Sequence, residues 1–201
     1  MISLQRVLCR VFLFPVLVVA PPVVVAEDSL PQDSLYRLDA PFSDQNGRSF
    51  TLAERRGCPQ LVSMFYTSCR FVCPLIIDSA KGVDHALDDR ERERLDILLI
   101  SMDPARDDTA ALMSVFDRRK LDPGRWTLAR TSERHVRSLA ALLGVRYRAL
   151  SDGEFNHTSS LYLLDGEGRR VASSSALGAI PDPEFLTSVR TAIAASGSCS
   201  H

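Results

Sequence analysis

The chain has no surplus of charge of either sign: 24 lysines and arginines stand against 25 aspartates and glutamates in 201 residues. The two signs are interspersed, as in Asp88-Asp89-Arg90-Glu91-Arg92-Glu93-Arg94, which reads as a solvated helix end and leaves no nucleic-acid footprint. Cysteine is scarce, five in all. A domain of this length builds a core without disulfide staples, so the few cysteines present invite a chemical reading before a structural one. Internal repeats and low-complexity tracts are absent. So is any long unbroken apolar run: Val11 to Ala26 is interrupted by Pro15, Pro21 and Pro22. Preceded by Arg6 and Arg10, and ending in Val24-Val25-Ala26 before Glu27 and Asp28, residues 1–26 read as a secretory signal peptide. An uncleaved membrane anchor over residues 7–26 is the alternative. No cysteine follows the run, so no lipoprotein anchor is suggested. In a bacterial host such a signal implies a periplasmic protein.

What remains divides into a leader over 27–40 with little periodicity, one domain over 41–195, and a flexible Cys/His tail over 196–201. Asn46-Gly47, between Phe42 and Leu52, signals a hairpin. Leu61 to Tyr66 and Leu95 to Met102 are apolar runs of the kind found in strands covered on both faces. Helices are expected over about 73–90, over 107–120 up to the Pro123-Gly124 break, from a Ser132 cap to Leu143 before Gly144, and from Pro183 to about Ala195. Trp126-Thr127-Leu128 forms a short strand, and 158–164 with 169–173 a second hairpin around Asp165-Gly166-Glu167-Gly168. Alternating strands and helices bounded by hairpins predict an α/β fold, a central mixed sheet with helices on both faces.

The chemistry is concentrated in Cys69-Arg70-Phe71-Val72-Cys73-Pro74, between a predicted strand and a predicted helix. If the first helical turn starts near Cys69, the two cysteines share a face with Cα atoms about 6 Å apart. That separation serves a disulfide or a shared metal ion equally. A helix N-terminus and Arg70 both favour thiolate. His157 lies in the polar stretch before a strand, and an imidazole with two thiolates makes a soft three-ligand set suited to Cu(I). Asp103 ends a strand at the sheet edge that carries the cysteine loop, where it would support such a site or simply form an Asp-Pro turn. His85 and His135 read as surface residues, Met64 and Met102 as core. Cys58 is a bystander thiol or a partner for Cys199, and Cys199 with His201 would offer auxiliary metal ligands on the tail.

Three blocks together, Tyr66-Thr67-Ser68-Cys69-x-x-x-Cys73-Pro74, Ile100-Ser101-Met102-Asp103-Pro104-Ala105-Arg106-Asp107, and Asn156-His157-Thr158 followed by Tyr162-Leu163-Leu164-Asp165-x-x-Gly168, resemble the SCO/SenC family over roughly residues 40–190. The resemblance implies a thioredoxin-like three-layer fold and copper held by Cys69, Cys73 and His157. It further implies delivery to the dinuclear copper centre of cytochrome c oxidase, with the oxidase's copper-bearing subunit or another periplasmic cuproprotein as acceptor. A thioredoxin-like reductant would be a second partner, and Cys69–Cys73 would form a redox-active disulfide in the copper-free state. Two departures stand out: Arg70 and Phe71 replace Pro and Asp common inside the motif, and Asn156 replaces a common Asp. Asn156, and Asp103 unless it only forms the Asp-Pro turn, are the residues expected to support the ligands. A thiol–disulfide oxidoreductase is the alternative function, disfavoured by the three-residue spacing. A peroxiredoxin-like peroxidase, for which Thr67 and Arg70 are a loose match, ranks below it.

Overall fold

The computed structural model describes residues 30–197 and Cys199. The predicted signal peptide and His201 lie outside the described residues.

The strands, numbered in chain order, are β1 (Phe42–Asp44), β2 (Ser49–Phe50), β3 (Gln60–Phe65), β4 (Asp96–Ser101), β5 (Trp126–Arg130), β6 (Tyr147–Ala149), β7 (Phe155–His157), β8 (Leu161–Leu164) and β9 (Arg170–Ser174). The α-helices are α1 (Val72–Ala86), α2 (Asp89–Arg92), α3 (Thr109–Arg118), α4 (Glu133–Leu143) and α5 (Pro183–Ala195). Seven strands form one mixed sheet in the order β2-β1-β5-β4-β3-β8-β9, and β6 with β7 forms a separate two-stranded hairpin.

Two crossovers build the centre. From β3 the chain passes through α1 into β4, and from β4 through α3 into β5, all three strands parallel. Parallel strands need such long connections, and helices laid over the faces require apolar residues on both sides. The composition agrees: all six residues of β3 are buried, as are five of six in β4. Antiparallel strands flank this core, β8 and β9 beyond β3, β1 and β2 beyond β5. The Asn46-Gly47 turn closes β1 onto β2, with Phe42 opposite Phe50 and Gly47 at φ +80°. Among the described residues no helix is long and apolar enough to cross a membrane.

Three departures from the sequence reading trace to particular contacts. The long helix stops at Ala86, because Asp88 starts a new one: its carboxylate caps the Glu91 amide and the Glu91 side chain accepts from the Asp88 amide. The leader is partly structural, since Leu35 and Tyr36 form a 3-10 turn buried in the core and the Tyr36 hydroxyl accepts from Gln60 Nε2 at 2.9 Å. The stretch around Ser151 to Asn156, read as a polar loop, is the turn and second strand of the β6–β7 hairpin. His157 ends that hairpin rather than starting β8.

The four described cysteines separate by position. Cys58, just ahead of β3, is bonded to Cys199 with Cα atoms 5.3 Å apart, while Cys69 and Cys73, just beyond its other end, are free thiols. At about 3.3 Å per residue, β3 holds the two pairs on opposite edges of the sheet, about 20 Å apart. The tail is thereby pinned to the body at Cys199.

Candidate functional site

Helix α1 starts at Val72, one residue before Cys73, and Phe71 at the N-cap position supplies no side-chain cap. The cysteines therefore do not share a helical face. Cys69 lies in the turn leaving β3, its amide bonded to the Tyr66 carbonyl at 3.3 Å, and its Sγ accepts from the Cys73 amide at 3.3 Å. The sulfur thus does the capping that Phe71 cannot, satisfying one of the free N–H groups of the first turn.

This arrangement splits the two thiols. Burial pushes Cys69 up, but hydrogen bonds from the Cys73 amide and thiol, the Phe71 amide and the Tyr66 hydroxyl outweigh it, leaving Cys69 below the ordinary thiol range. Cys73 is buried, and burial, the adjoining Cys69 sulfur and the nearby Asp107 carboxylate push it well up. One is a half-buried, thiolate-prone nucleophile; the other is its protonated neighbour. Both line a small cavity of about 90 Å³, together with Tyr66, Thr67, Pro74 and Arg119 among others.

The loop's anchor is a residue the sequence reading passed over. Asp107 is fully buried and takes three hydrogen bonds: from the Thr67 amide at 3.0 Å, the Thr67 hydroxyl at 2.5 Å and the Ser101 hydroxyl at 2.5 Å. It ties the end of β4 to the turn that carries Cys69. Asp103 instead pairs with Arg106 and lines a different, larger groove of about 920 Å³. The available signal was the Ser-x-Asp-x-x-x-Asp run itself, in which either carboxylate could have turned toward the thiols.

His157 belongs to the β6–β7 hairpin, opposite Tyr147, with Asn156 opposite Arg148. Its Nδ1 stands 3.1 Å from the Thr158 carbonyl, which only accepts, so Nδ1 carries the proton and Nε2 keeps its lone pair. Burial lowers the imidazole pKa, against the opposing effect of the Thr158 bond, so the ring is neutral at pH 7. Asn156 is exposed and lines a pocket of about 340 Å³ with His157, Arg146 and Arg148.

Tyr66 links the two halves. Its ring meets Phe155 edge-on at 5.1 Å and His157 at 6.0 Å. Its hydroxyl donates to Glu154 Oε2 at 2.7 Å, accepts from the Phe155 amide at 3.3 Å and also reaches Cys69. Arg106 bonds the Gly153 carbonyl and lies over the Phe155 ring, holding the hairpin from the other side. Ser63 of β3 donates to the Ser160 carbonyl at 2.7 Å, fixing the chain just beyond His157. Two thiols are therefore adjacent, and a neutral imidazole waits across Tyr66. Among the described residues, no three His, Cys, Asp or Glu side chains are grouped closely enough to hold a metal ion as they stand.

A mixed sheet flanked by helices, with a dithiol in the turn from a central strand to a helix, defines a thioredoxin-like domain. The SCO1/SenC family model matches residues 32–191, and the chain belongs to that family. A SCO2-like protein of Rickettsia prowazekii (strain Madrid E) is 27% identical over 143 residues, 66% of this chain and 67% of the relative. The structure of Bradyrhizobium japonicum ScoI with copper bound superposes with a TM-score of 0.63 at 24% identity, covering 76% of this chain and 96% of that one. BsSco, described with a disulfide switch and as a member of the Sco family of cytochrome c oxidase assembly proteins, superposes at 0.67 with 20% identity, covering 80% and 95%.

Proposed function

We propose that the protein carries Cu(I) on the Cys69 and Cys73 thiolates and His157 Nε2, and hands it to the copper-bearing subunit of cytochrome c oxidase or to another cuproprotein. Family membership supports this, as do the copper-bound ScoI structure and the oxidase-assembly role given for the Sco family in the description of BsSco. The observation that carries it is the pair of free thiols beside Tyr66, whose ring also meets His157, with His157 Nδ1 turned to the Thr158 carbonyl so that Nε2 is the nitrogen left for a metal.

Soft sulfur with one imidazole suits Cu(I), and loading releases the thiol protons. Because the three donors are not yet grouped, loading requires His157 and the two sulfurs to converge. The hairpin lies outside the main sheet and is held mainly through Tyr66, Glu154 and Arg106, contacts that can exchange without unfolding the core. Oxidation of the pair to a disulfide, two electrons and two protons passing to a thiol–disulfide partner, removes two of the three donors and gates loading. The protein is read as exported to the periplasm by residues 1–26.

The split between Cys69 and Cys73 favours a second reading, a thiol–disulfide oxidoreductase acting on the acceptor's cysteines with Cys69 as nucleophile. Titration of Cu(I) against a chromogenic chelator, followed by transfer to a soluble copper-bearing oxidase domain, separates the two. One copper per chain, lost in Cys69→Ser and Cys73→Ser and passed to the oxidase domain, is expected. Disulfide exchange without copper uptake would overturn the carrier reading.

A further inference from the structure

Most arginine side chains of this protein are occupied. Arg56 pairs with Glu167, Arg119 with Asp78 and Arg125 with Asp84, and others bond backbone carbonyls. Among the described residues four take no partner: Arg70, Arg90, Arg146 and Arg148. Three of these four sit on the segments that carry Cys69, Cys73 and His157. Arg70 follows Cys69 directly, and Arg146 and Arg148 line the His157 pocket. All three are exposed. None of the nearby carboxylates pairs with them: Glu154 is bonded to Tyr66, Asp103 to Arg106, Asp107 to Thr67 and Ser101, and Asp152 accepts from the Glu154 amide in the hairpin turn. Beside Arg70, the Phe71 side chain is 80% exposed, and Leu75, one helical turn on, is 43% exposed. A large aromatic standing in solvent beside free guanidinium groups is the composition of an interface anchor.

We infer that Arg70, Phe71, Arg146 and Arg148 form a docking rim for an acidic protein surface, one whose own thiols must meet Cys69 and whose apolar recess takes Phe71. The rim rests on the reading of Cys69, Cys73 and His157 as the working site, and it adds what the site recognises. Positive potential around a narrow site steers anionic partners and raises their on-rate.

The test uses thiol exchange, which needs no copper and so stands or falls apart from copper loading. Protein oxidised to its Cys69–Cys73 disulfide is mixed with either of two synthetic peptides bearing the same Cys-x-x-x-Cys dithiol, one flanked by glutamates and one by lysines. A peptide thiolate attacks the protein disulfide to give a mixed disulfide, and the second peptide thiol resolves it. The peptide leaves oxidised while the protein keeps two electrons and takes up two protons, and mass spectrometry identifies which protein pair was reduced. We expect the acidic peptide to react about tenfold faster or more at low salt, with the advantage vanishing at high salt. Arg70→Glu combined with Arg146→Glu and Arg148→Glu should invert the preference, and Phe71→Ser should lessen the rate for both peptides. All four side chains are exposed, so unchanged thermal unfolding confirms that the variants fold. Equal rates for the two peptides, or a preference untouched by the triple variant, would overturn the proposal. So would binding to anionic phospholipid vesicles that the triple variant abolishes, which would assign the rim to a membrane.

Discussion

The Tyr66 ring meets the His157 imidazole edge-on with centroids 6.0 Å apart, while its hydroxyl reaches Cys69. One side chain thus touches both halves of the candidate site. Its single phenolic proton has two acceptors, the Glu154 carboxylate and the Cys69 sulfur, and the choice between them couples the hairpin to the thiol. Tyr66→Phe keeps the ring contacts and removes the hydroxyl. The expected result is a Cys69 pKa shifted upward and faster amide exchange over residues 150–157, with a stability loss of about 1–2 kcal/mol. Thiol titration and hydrogen exchange together check it.

The two free thiols should react in sequence. Cys69 lies below its ordinary value near 9.0 and Cys73 above it. Thiolate is the reactive form, so the rate of Cys69 alkylation should level off with a midpoint below pH 9.0, while Cys73 stays protonated and slow through that range. Limited iodoacetamide labelling with peptide mapping reads this directly. Equal labelling at neutral pH would contradict the hydrogen-bond account of the site.

Asp107 holds the cysteine turn through three donors, and only a carboxylate can accept from all of them. In Asp107→Asn one acceptor position becomes an N–H facing donors. A loss of roughly 2–3 kcal/mol in chemical denaturation is expected, with the Cys69 alkylation profile displaced. Asp103→Asn loses the pairing with Arg106 and should leave the alkylation profile in place.

The Cys58–Cys199 bond spans 141 residues of sequence and sits at the edge of the sheet away from the dithiol. Replacing both cysteines by serine should lower stability by roughly 2–5 kcal/mol, through the loop closure lost from the unfolded chain. Thiol exchange at Cys69 and Cys73 should continue unchanged. A loss of exchange in a folded variant would show that the two pairs communicate.

Local signals carried much of this fold. Asn46-Gly47 marked its hairpin, the apolar runs of β3 and β4 marked strands buried on both faces, and Ser132 with Gly144 bracketed α4. What escaped was set by distant partners. The β6–β7 hairpin depends on Phe155 packing against Tyr66 and Tyr147, contacts that no stretch of 151–157 announces. The turn around Cys69 is fixed by Asp107, 40 residues away from Thr67. The start of α1 moved past Cys69 because the sulfur could cap the Cys73 amide from outside the helix. Cys69, Cys73 and His157 could be named as candidates from the sequence; the preformed pairing of the two thiols and the separate placement of the imidazole could not.

The central claim is that His157 completes a copper site begun by the two thiols, and His157→Ala tests it most directly. Cu(I) affinity, measured by chelator competition, and thiol–disulfide exchange at Cys69, measured in the same preparation, should part company. The account predicts that copper affinity falls by more than the roughly tenfold lost when a group that merely supports a ligand is removed, while exchange proceeds at the wild-type rate. Copper affinity unchanged by the substitution would contradict it.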